Sequence, residues 1–386
     1  MKKCIVVSDS FKGTLSSIDI CSIANEVFSS VMPECELCAI PVADGGEGTV
    51  ECFEFLGAEK ITTPVSDPWG RKISASYARS GSRAVIEMAA AAGLPLVGEN
   101  KNPALTSTYG VGEQILHAVN SGCTEILLGL GGSATNDGGC GAAAALDVRF
   151  VRRDGSLFVP TGETLDQIAD IDVSASEKLL ENVRITLMCD VTNPLYGRQG
   201  AAYVFAPQKG ADAEMTVRLD KKLEYYGMLL ESKFGGGAAL RPGGGAAGGM
   251  GAGCCALLGA ELSSGIDAVL DAVGFDALLE GADLVISGEG KLDSQSLDGK
   301  VISGVAAKCR ASGVPLVVLA GCVDDSASDV YGRGVTAVFN TNRACRSTGE
   351  LASFSRADYA CALADILRLI KTAESFPESK KPLDNM

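Results

Sequence analysis

Residues 282–321 read ADLVISGEGKLDSQSLDGKVISGVAAKCRASGVPLVVLAG, in which two short apolar runs rich in Val, Leu and Ile flank a helical pattern. The order strand, helix, strand predicts a parallel βαβ unit. The N-terminal segment 3–32 repeats the beginning of this order, because the run KCIVVS precedes the helical pattern SSIDICSIANEVFSSVM. The two ends of the chain therefore predict one parallel α/β domain.

The middle of the chain has a different pattern. Residues 61–89, ITTPVSDPWGRKISASYARSGSRAVIEMA, predict a twisted antiparallel ribbon with turns at 67–70 and at Gly81. The runs EILLGL and RITLMCD predict buried strands, and 212–234 predicts a long helix. We therefore predict an α/β protein of two domains: a discontinuous parallel domain, 1–62 with 266–386, and an inserted mixed α/β domain, 63–265.

The composition excludes several classes of function. The chain has 386 residues with 33 Lys+Arg against 48 Asp+Glu, and the net charge of −15 argues against a nucleic-acid partner. The single histidine, His117, falls in an amphipathic helical pattern, which argues against Ser-His-Asp and Cys-His hydrolysis.

The cysteines and the apolar segments point to the cytoplasm. Most of the 14 cysteines sit in apolar runs, as buried reduced thiols do, and Cys35 and Cys38 have CxxC spacing without a second pair. Only four apolar residues follow Met1-Lys2-Lys3 before Ser8, which is too short a run to predict a signal sequence. Residues 242–260 are uncharged but contain 8 Gly in 19, which predicts a glycine loop leading into a helix and not a membrane span.

Polar residues concentrate directly after predicted strands, where parallel sheets bind ligands. Asp9, Ser10 and Lys12 follow the first strand, and Lys12 could neutralise an anion. The alternative is an Asp/Ser turn with Ser16 capping the next helix. The segment PVADGGEGT, 41–49, follows the second strand; its carboxylates Asp44 and Glu47 could hold Mg²⁺, and the glycines Gly45 and Gly46 allow close backbone approach to an anion.

The densest constellation is GLGGSATNDGG at 129–139, between an apolar strand and an Ala-rich helix. Gly131, Gly132 and Ser133, with the helix N-terminus behind them, make a candidate phosphate cradle. The segment also imitates a dinucleotide fingerprint, but the acidic residue that such a site needs about 20 positions on is absent. A dehydrogenase is therefore disfavoured.

Two more strand ends carry carboxylates. Asp190 follows RITLMC and suits a general base or a metal ligand, although an Asx-turn before Pro194 is an equal alternative. Gln208-Lys209-Gly210 adds a cation near a predicted loop. The segment SGEGKLDSQS at 287–296 offers Glu289, Lys291 and Asp293 within five residues.

These groups suit phosphoryl transfer, which depends on positioning and charge neutralisation. A Walker A motif is absent from the sequence, so separate Gly/Asp loops would have to bind the phosphates. The segments SDSFKGTLSS, PVADGGEGT, EMAAAAGL, NPALTSTYGVGE, GLGGSATNDGG, CDVTNPLYG, GAAYVFAPQKGA and SGEGKLDSQS occur in this order. Together they resemble the glycerate kinase family that includes the bacterial glycerate 2-kinases, from about residue 3 to residue 340.

The resemblance implies ATP-dependent phosphorylation of D-glycerate to 2-phosphoglycerate with Mg²⁺. It also implies a Rossmann-like domain with a second α/β domain inserted and the substrate in the cleft between them. We expect Asp190 to be the general base, with Asp293 as competitor, Lys12 to neutralise the phosphoryl group, and Asp44 and Glu289 to hold Mg²⁺. The residues expected to bind substrate or nucleotide are Asp9, Ser10, Gly45, Gly46, Gly131, Gly132, Ser133, Thr135, Asn136, Asp137, Asn193, Gly288 and Lys291.

One departure and three alternatives accompany the resemblance. The family usually has Arg where this chain has Lys291, and Lys lacks the bidentate fork, so the grip on a carboxylate could differ. The alternatives are another hydroxy-acid kinase, a kinase related to galactokinase, which would need a strand-rich N-terminal domain, and a two-lobed anion-binding protein without catalysis. No membrane partner is expected, and association into a homo-oligomer is left open.

Overall fold

A computed structural model describes residues 1–11, 13–293, 300–344 and 348–374. The chain divides into two compact units, Met1–Val42 together with the chain from Leu270 onward, and Ala43–Val269. Each unit builds its own sheet. The prediction of an α/β fold is confirmed. Within the described ranges, no helix has the length and apolar character needed to span a membrane.

The described strands alternate with helices over most of the chain. In chain order the strands are β1 (Lys3–Ser8), β2 (Glu36–Pro41), β3 (Glu59–Ser66), β4 (Lys72–Ser80), β5 (Arg83–Glu87), β6 (Glu125–Gly129), β7 (Arg149–Val151), β8 (Leu157–Phe158), β9 (Asp170–Asp172), β10 (Arg184–Met188), β11 (Glu261–Ser263), β12 (Leu284–Leu292), β13 (Leu316–Val323) and β14 (Val335–Asn340).

The described helices range from single turns to the 27-residue C-terminal helix. They are α1 (Ser17–Val31), α2 (Thr49–Phe55), α3 (Ala89–Ala92), α4 (Leu94–Val97), α5 (Tyr109–Asn120), α6 (Cys140–Ala145), α7 (Ser174–Leu179), α8 (Ala201–Phe205), α9 (Ala213–Phe234), α10 (Ala246–Leu258), α11 (Gly265–Ala272), α12 (Phe275–Leu279), α13 (Val301–Ser312) and α14 (Thr348–Glu374).

The first unit contains a five-stranded sheet in the order β14-β13-β12-β1-β2, and every pairing in it is parallel. The predicted βαβ order at both ends of the chain is therefore confirmed. Ser16 begins α1 with a capping box, since its hydroxyl accepts from the Asp19 N–H and the Asp19 carboxylate accepts from the Ser16 N–H. The apolar faces of α1 and α14 cover the sheet in a shared core.

The second unit contains a six-stranded mixed sheet, β11-β10-β6-β5-β4-β3. Its four strands β11, β10, β6 and β5 are parallel, and β4 and β3 add the antiparallel ribbon that the sequence predicts, with Glu59 opposite Arg79 and Ser66 opposite Lys72. A small antiparallel sheet, β8-β7-β9, which the sequence patterns do not predict, completes the unit. The predicted helix 212–234 is confirmed as α9, with Asp212 as its N-cap.

Residues 43–62 belong to the second unit, whereas the division made from the sequence placed them with the first. The reason is packing. Helix α2 contacts β4 and β5, and β3 pairs with β4 along its whole length. Residues 67–70 form the turn between β3 and β4, so the ribbon is continuous inside the second unit.

The histidine and the cysteines have structural surroundings. His117 lies in α5, as predicted, and its Nδ1 is 3.0 Å from the Tyr77 hydroxyl oxygen. The 13 cysteines in the described part of the chain are free, and most are buried. The single histidine is therefore packed against an aromatic neighbour.

Glycine at position 129 permits a close approach that shapes the second unit. Gly129 ends β6, and a Cβ on it would lie 2.1 Å from the carbonyl oxygen of Gly45. Gly45 itself has φ +84°, and a Cβ on it would lie 2.6 Å from the Cβ of Met188, at the end of the neighbouring strand β10. The turn at 44–46 can therefore lie directly on the ends of β6 and β10 only because both positions lack side chains.

We expect Gly129→Ala to lower the free energy of unfolding by about 2–3 kcal/mol, because the added methyl group forces two backbone segments apart. The matched control is Gly57→Ala. Gly57 has φ +96° and open space around it, so only the left-handed backbone should cost about 1 kcal/mol. Urea unfolding followed by circular dichroism would measure both, and equal losses would contradict the close-approach argument.

Candidate active site

A cavity of 380 Å³ lies within the second unit, in the size range of small-molecule sites. The turn at 44–46, the loop at 130–133, the segment at 188–191 and the residues around Lys209 supply its walls. Seven of the residues predicted from the sequence line it: Asp44, Gly45, Gly46, Gly131, Gly132, Ser133 and Asp190. The structure thus brings together three motifs that are far apart in the chain.

A backbone hydrogen bond holds Asp190 at the carboxyl end of β10. Its Oδ1 accepts from the N–H of Gly265, at 2.8 Å, where α11 begins. Its Oδ2 is buried and accepts no hydrogen bond from the described residues. Burial raises the pKa of Asp190 to about 6; the negative charge of Asp44 adds to the effect, and the Gly265 N–H opposes it. An oriented carboxylate with an unbonded oxygen in a cavity can accept a proton.

Asp44 lines the same cavity from the turn that follows β2. Its Oδ1 accepts from the N–H of Gly46, at 3.2 Å, so the carboxylate is tied to its own turn. The backbone of Asp44 also contacts α11, because a Cβ on Gly265 would lie 1.9 Å from the Asp44 carbonyl oxygen. Gly265 therefore positions both carboxylates, one through its N–H and one through its missing side chain.

The carboxylate of Asp137 is hydrogen-bonded within the protein, and its contact with a ligand stays a prediction. It is fully buried and does not line the cavity. Its carboxylate accepts from the Thr108 N–H at 2.7 Å, from the Thr108 hydroxyl at 2.9 Å, and from the N–H groups of Gly139 and Gly141. Burial raises the pKa of Asp137, and the Thr108 hydrogen bonds oppose this. Asp137 thus fixes the shape of the 131–139 loop.

Thr135, Asn136 and Asn193 also lie outside the cavity wall. Thr135 and Asn136 are fully buried, and their side-chain polar atoms have no hydrogen-bond partner among the described residues. Asn193 donates from Nδ2 to the carbonyl of Gln199, at 2.7 Å, which stabilises the segment after β10. A contact of these three side chains with a ligand stays a prediction.

Lys209 is a cavity residue that we did not assign to the site from the sequence. It lies in a 3₁₀ turn at Pro207–Lys209 and is only 2 % exposed. Its Nζ donates to the Ser133 hydroxyl oxygen at 2.6 Å and to the Thr135 carbonyl at 2.7 Å. Burial lowers the pKa of Lys209 to about 7, and the charge of Asp137 opposes this shift. The available signal was a lysine inside the otherwise apolar segment GAAYVFAPQKGA.

The other predicted residues that the structure describes belong to the first unit and lie on or directly after two neighbouring parallel strands, β1 and β12. The Asp9 N–H donates to the carbonyl of Gly288 at 3.0 Å, and the Asp9 carboxylate accepts from the Ser10 N–H at 2.7 Å. Glu289 lies on β12 and is 7 % exposed. The strand order therefore brings the motif after β1 next to β12, but Gly288, Glu289 and Lys291 lie within β12 and not after it, where the sequence predicted them.

Lys291 in the first unit has carboxylate partners. Its Nζ is 3.2 Å from Asp293 and 3.5 Å from Asp324, and these contacts, Asp293 first, raise the pKa of Lys291. Lys12, predicted to neutralise the phosphoryl group, lies outside the described residues. Of the two cations predicted from the sequence, the described one is thus already paired with acids.

The carboxylates in the cavity fit a magnesium ion. The described residues contain no group of three or more His, Cys, Asp or Glu side chains that could hold a metal ion by themselves. Mg²⁺ in phosphoryl-transfer sites commonly uses one or two carboxylates and completes its shell with water and phosphate oxygens. Asp44 supplies such a carboxylate from the cavity wall, and Asp190, whose Oδ2 has no hydrogen-bond partner among the described residues, lines the same cavity.

We expect Asp190→Asn to stabilise the protein at pH 8. The folded-state pKa of about 6 lies above the ordinary 3.8, so the stability contributed by this group is full below pH 3.8 and lost as pH rises through 6. The variant removes the half-buried charge and keeps an acceptor for Gly265. The gain should be about 1 kcal/mol after allowance for partial exposure, and should vanish towards pH 4. Urea unfolding at both pH values measures it, and destabilisation at pH 8 would contradict the pKa shift.

Comparison with known proteins gives a consistent result. The model of the glycerate kinase family matches residues 4–371. The glycerate kinase of Bacillus cereus is 43% identical over 342 residues, which cover 88% of this chain and 90% of that protein. The glycerate 2-kinase of Escherichia coli is 42% identical over 343 residues, with the same coverage of both chains.

A solved structure agrees with the sequence matches. The crystal structure assigned as glycerate kinase 2 from Salmonella typhimurium LT2 superposes with a TM-score of 0.87 at 37% identity, over 97% of this chain and 100% of that one. Fold, family model and relatives agree over nearly the whole length. The chain belongs to the glycerate kinase family, whose members are enzymes.

Proposed function

We propose that this enzyme transfers the γ-phosphoryl group of ATP to the 2-hydroxyl of D-glycerate, with Mg²⁺, giving 2-phosphoglycerate and ADP. Family membership supports the glycerate kinase activity. The name of the Escherichia coli relative, a glycerate 2-kinase at 42% identity, supports the position of phosphorylation. The free thiols of the described cysteines support a reducing compartment, the cytoplasm, as its location.

The observation that supports this chemistry is the raised pKa of Asp190 together with the hydrogen bonding of its carboxylate. A hydroxyl that attacks phosphorus must lose its proton. A general base accepts that proton best when its pKa lies near the operating pH. Asp190 has a raised pKa of about 6 and a buried oxygen, Oδ2, without a hydrogen-bond donor among the described residues. The Gly265 N–H on Oδ1 orients the carboxylate so that Oδ2 is the atom that accepts the proton.

The proposed transfer forms one bond, breaks one bond and moves one proton. The glycerate hydroxyl oxygen forms a bond to the γ-phosphorus, the bond from that phosphorus to the β–γ bridging oxygen breaks, and the hydroxyl proton passes to Asp190. The electron pair of the broken bond leaves with ADP. Asp190 then returns its proton to solvent, since its pKa lies below neutral pH.

Charge neutralisation is the second requirement of phosphoryl transfer. Bound Mg²⁺ would supply it by screening the phosphate oxygens, and Asp44 is the described cavity carboxylate that would hold the ion. The glycines at 131 and 132 let the loop backbone approach the ligand without side chains between them. Glu289, proposed from the sequence for the metal, belongs to the first unit, and Lys12, proposed for the phosphoryl group, lies outside the described residues.

The direct test is an ADP-release assay with ATP, Mg²⁺ and D-glycerate, followed by phosphorus NMR of the product. We expect turnover that depends on all three components and a product with phosphate on the 2-position. A 3-phosphoglycerate product would keep the kinase and overturn the regiochemistry. Turnover with other hydroxy acids but not with D-glycerate, or binding without any turnover, would overturn the proposed substrate or the proposed catalysis.

We expect Asp190→Asn to lower kcat by about 100- to 10,000-fold, in the range of a lost general base, with a much smaller change in KM for D-glycerate. The matched control is Asp220→Asn. Asp220 also accepts a backbone N–H, that of Gly197 at 2.8 Å, and burial also raises its pKa, but it does not line the cavity.

The control should keep kcat within about 3-fold, because general-base effects require contact with the reacting proton. Near-normal turnover of a folded Asp190→Asn protein would remove Asp190 from the role of base. Asp293 would then be the carboxylate to substitute.

A further inference from the structure

The mechanism above leaves one charged group in the cavity without a function. Lys209 is the only Lys or Arg among the described residues that line the cavity. Its two hydrogen-bond partners, the Ser133 hydroxyl and the Thr135 carbonyl, are uncharged. The nearby acid Asp137 directs its carboxylate to Thr108, Gly139 and Gly141 instead.

A buried ammonium group without an adjacent carboxylate is costly, and proteins rarely retain one unless a partner arrives. An ammonium group has three N–H donors, of which Lys209 uses two. Ser133 accepts from Lys209, so the hydroxyl hydrogen of Ser133 remains to be donated. The pair therefore offers two donors and one positive charge at the glycine loop of the cavity wall.

The charges of the cavity favour a ligand group with a single negative charge. Its walls carry two carboxylates, Asp44 and Asp190, and one ammonium, Lys209. In the proposed reaction the charge of the triphosphate would be screened by the Mg²⁺ that Asp44 would hold, so the phosphate oxygens do not depend on Lys209. A substrate carboxylate adds one negative charge, which the ammonium group of Lys209 can neutralise.

The position of Asp190 narrows the choice further. The same cavity holds the proposed base for the reacting hydroxyl. In a 2-hydroxy acid the carboxylate and the hydroxyl are on adjacent carbon atoms, so a molecule that presents its hydroxyl to Asp190 keeps its carboxylate within this cavity. An uncharged alcohol would leave Lys209 buried without an anion.

We propose that Lys209, together with the Ser133 hydroxyl, binds the carboxylate of the hydroxy-acid substrate and selects acids over neutral alcohols. This assignment rests on the proposed function. It differs from the one made from the sequence, in which Lys291 grips the carboxylate. Lys291 is 55% exposed at its side chain and contacts two carboxylates of its own, whereas Lys209 is buried among neutral acceptors.

The test is equilibrium binding of D-glycerate and of its neutral analogue D-glyceramide, by calorimetry, to the wild type and to Lys209→Met. Loss of a charged hydrogen-bond donor should weaken D-glycerate binding about 100-fold. Binding of D-glyceramide should change less than about 3-fold, and KM for ATP should stay within about 2-fold. Neither D-glyceramide nor ATP is proposed to bind the charge of Lys209. The ratio of the two affinities is the decisive quantity, since a merely structural role would weaken both ligands alike.

The matched control is Lys222→Met. Lys222 also lies in the second unit, and its Nζ donates to the Glu163 carbonyl at 2.6 Å and to Asp166, away from the cavity. It should leave the affinity ratio unchanged. An unchanged ratio in Lys209→Met, or a selective rise of KM for ATP, would overturn the proposal. Collapse of the ratio in Lys291→Met alone would assign the carboxylate to the first unit instead.

A measurement on the folded wild type covers the case in which Lys209→Met does not fold. The pKa of Lys209 is about 7, so at pH 8 most of the free enzyme has a neutral amine, and an arriving carboxylate should draw in about one proton. Calorimetry in two buffers of different ionisation enthalpy measures this uptake. The acids near the Lys209 amine are Asp137, Asp44 and Asp190. Asp190 also titrates near neutral pH, so the titration is repeated with Asp190→Asn to remove its contribution to the proton uptake.

Uptake of about one proton in both proteins, with affinity falling almost tenfold per pH unit above 7, supports the proposal. Absence of uptake would overturn it. The role of Lys209 and the proposed function can be contradicted independently of each other. Turnover of D-glycerate without proton uptake or charge selection removes only the role of Lys209, whereas a wild type that neither binds nor phosphorylates D-glycerate removes the proposed function as well.

Discussion

The site in the second unit depends on a backbone contact that has no room for side chains. The carbonyl of Gly45 would lie 2.1 Å from a Cβ on Gly129, and the Cα of Gly46 would lie 2.9 Å from a Cβ on Gly131. Because the turn and the loop touch through glycine, Asp44 on the turn and Ser133 on the loop reach one cavity. The glycines of ADGGEGT and GLGGSA thus have a packing role in addition to any contact with phosphate.

Burial shifts the pKa values of Asp190 and Lys209, which line the same cavity, in opposite directions. Removal from water disfavours charge, so the pKa of Asp190 rises to about 6 while the pKa of Lys209 falls to about 7. At neutral pH each group is therefore close to its own pKa and can gain or lose a proton. A base that can take up the hydroxyl proton and a cation that gains its charge as an anion arrives are what a hydroxy-acid kinase needs. The same burial makes the unliganded site unfavourable for stability.

The sequence was sufficient for features with a local signal. Period-two and period-3.6 apolar patterns predicted the parallel strands, the 61–89 ribbon and helix α9. Strand-end position predicted that Asp44, Ser133 and Asp190 are site residues, and the structure brings these three together in one cavity. The rest required contacts between residues far apart in the chain. Lys209 bonds Ser133 across 76 positions, and no spacing rule connects them.

Two further features depend on contacts that the sequence does not show. The carboxylate of Asp137 accepts four hydrogen bonds, from Thr108, Gly139 and Gly141, while its contact with a ligand stays a prediction. The boundary near 42 was placed too late because α2 and β3 carry patterns that suit either unit, and their packing partners decide. The most direct test of the whole account is a crystal structure with D-glycerate and a non-hydrolysable ATP analogue. The account predicts the glycerate carboxylate on Lys209 Nζ and the Ser133 hydroxyl, with the 2-hydroxyl at Asp190 Oδ2; glycerate bound away from this cavity would contradict it.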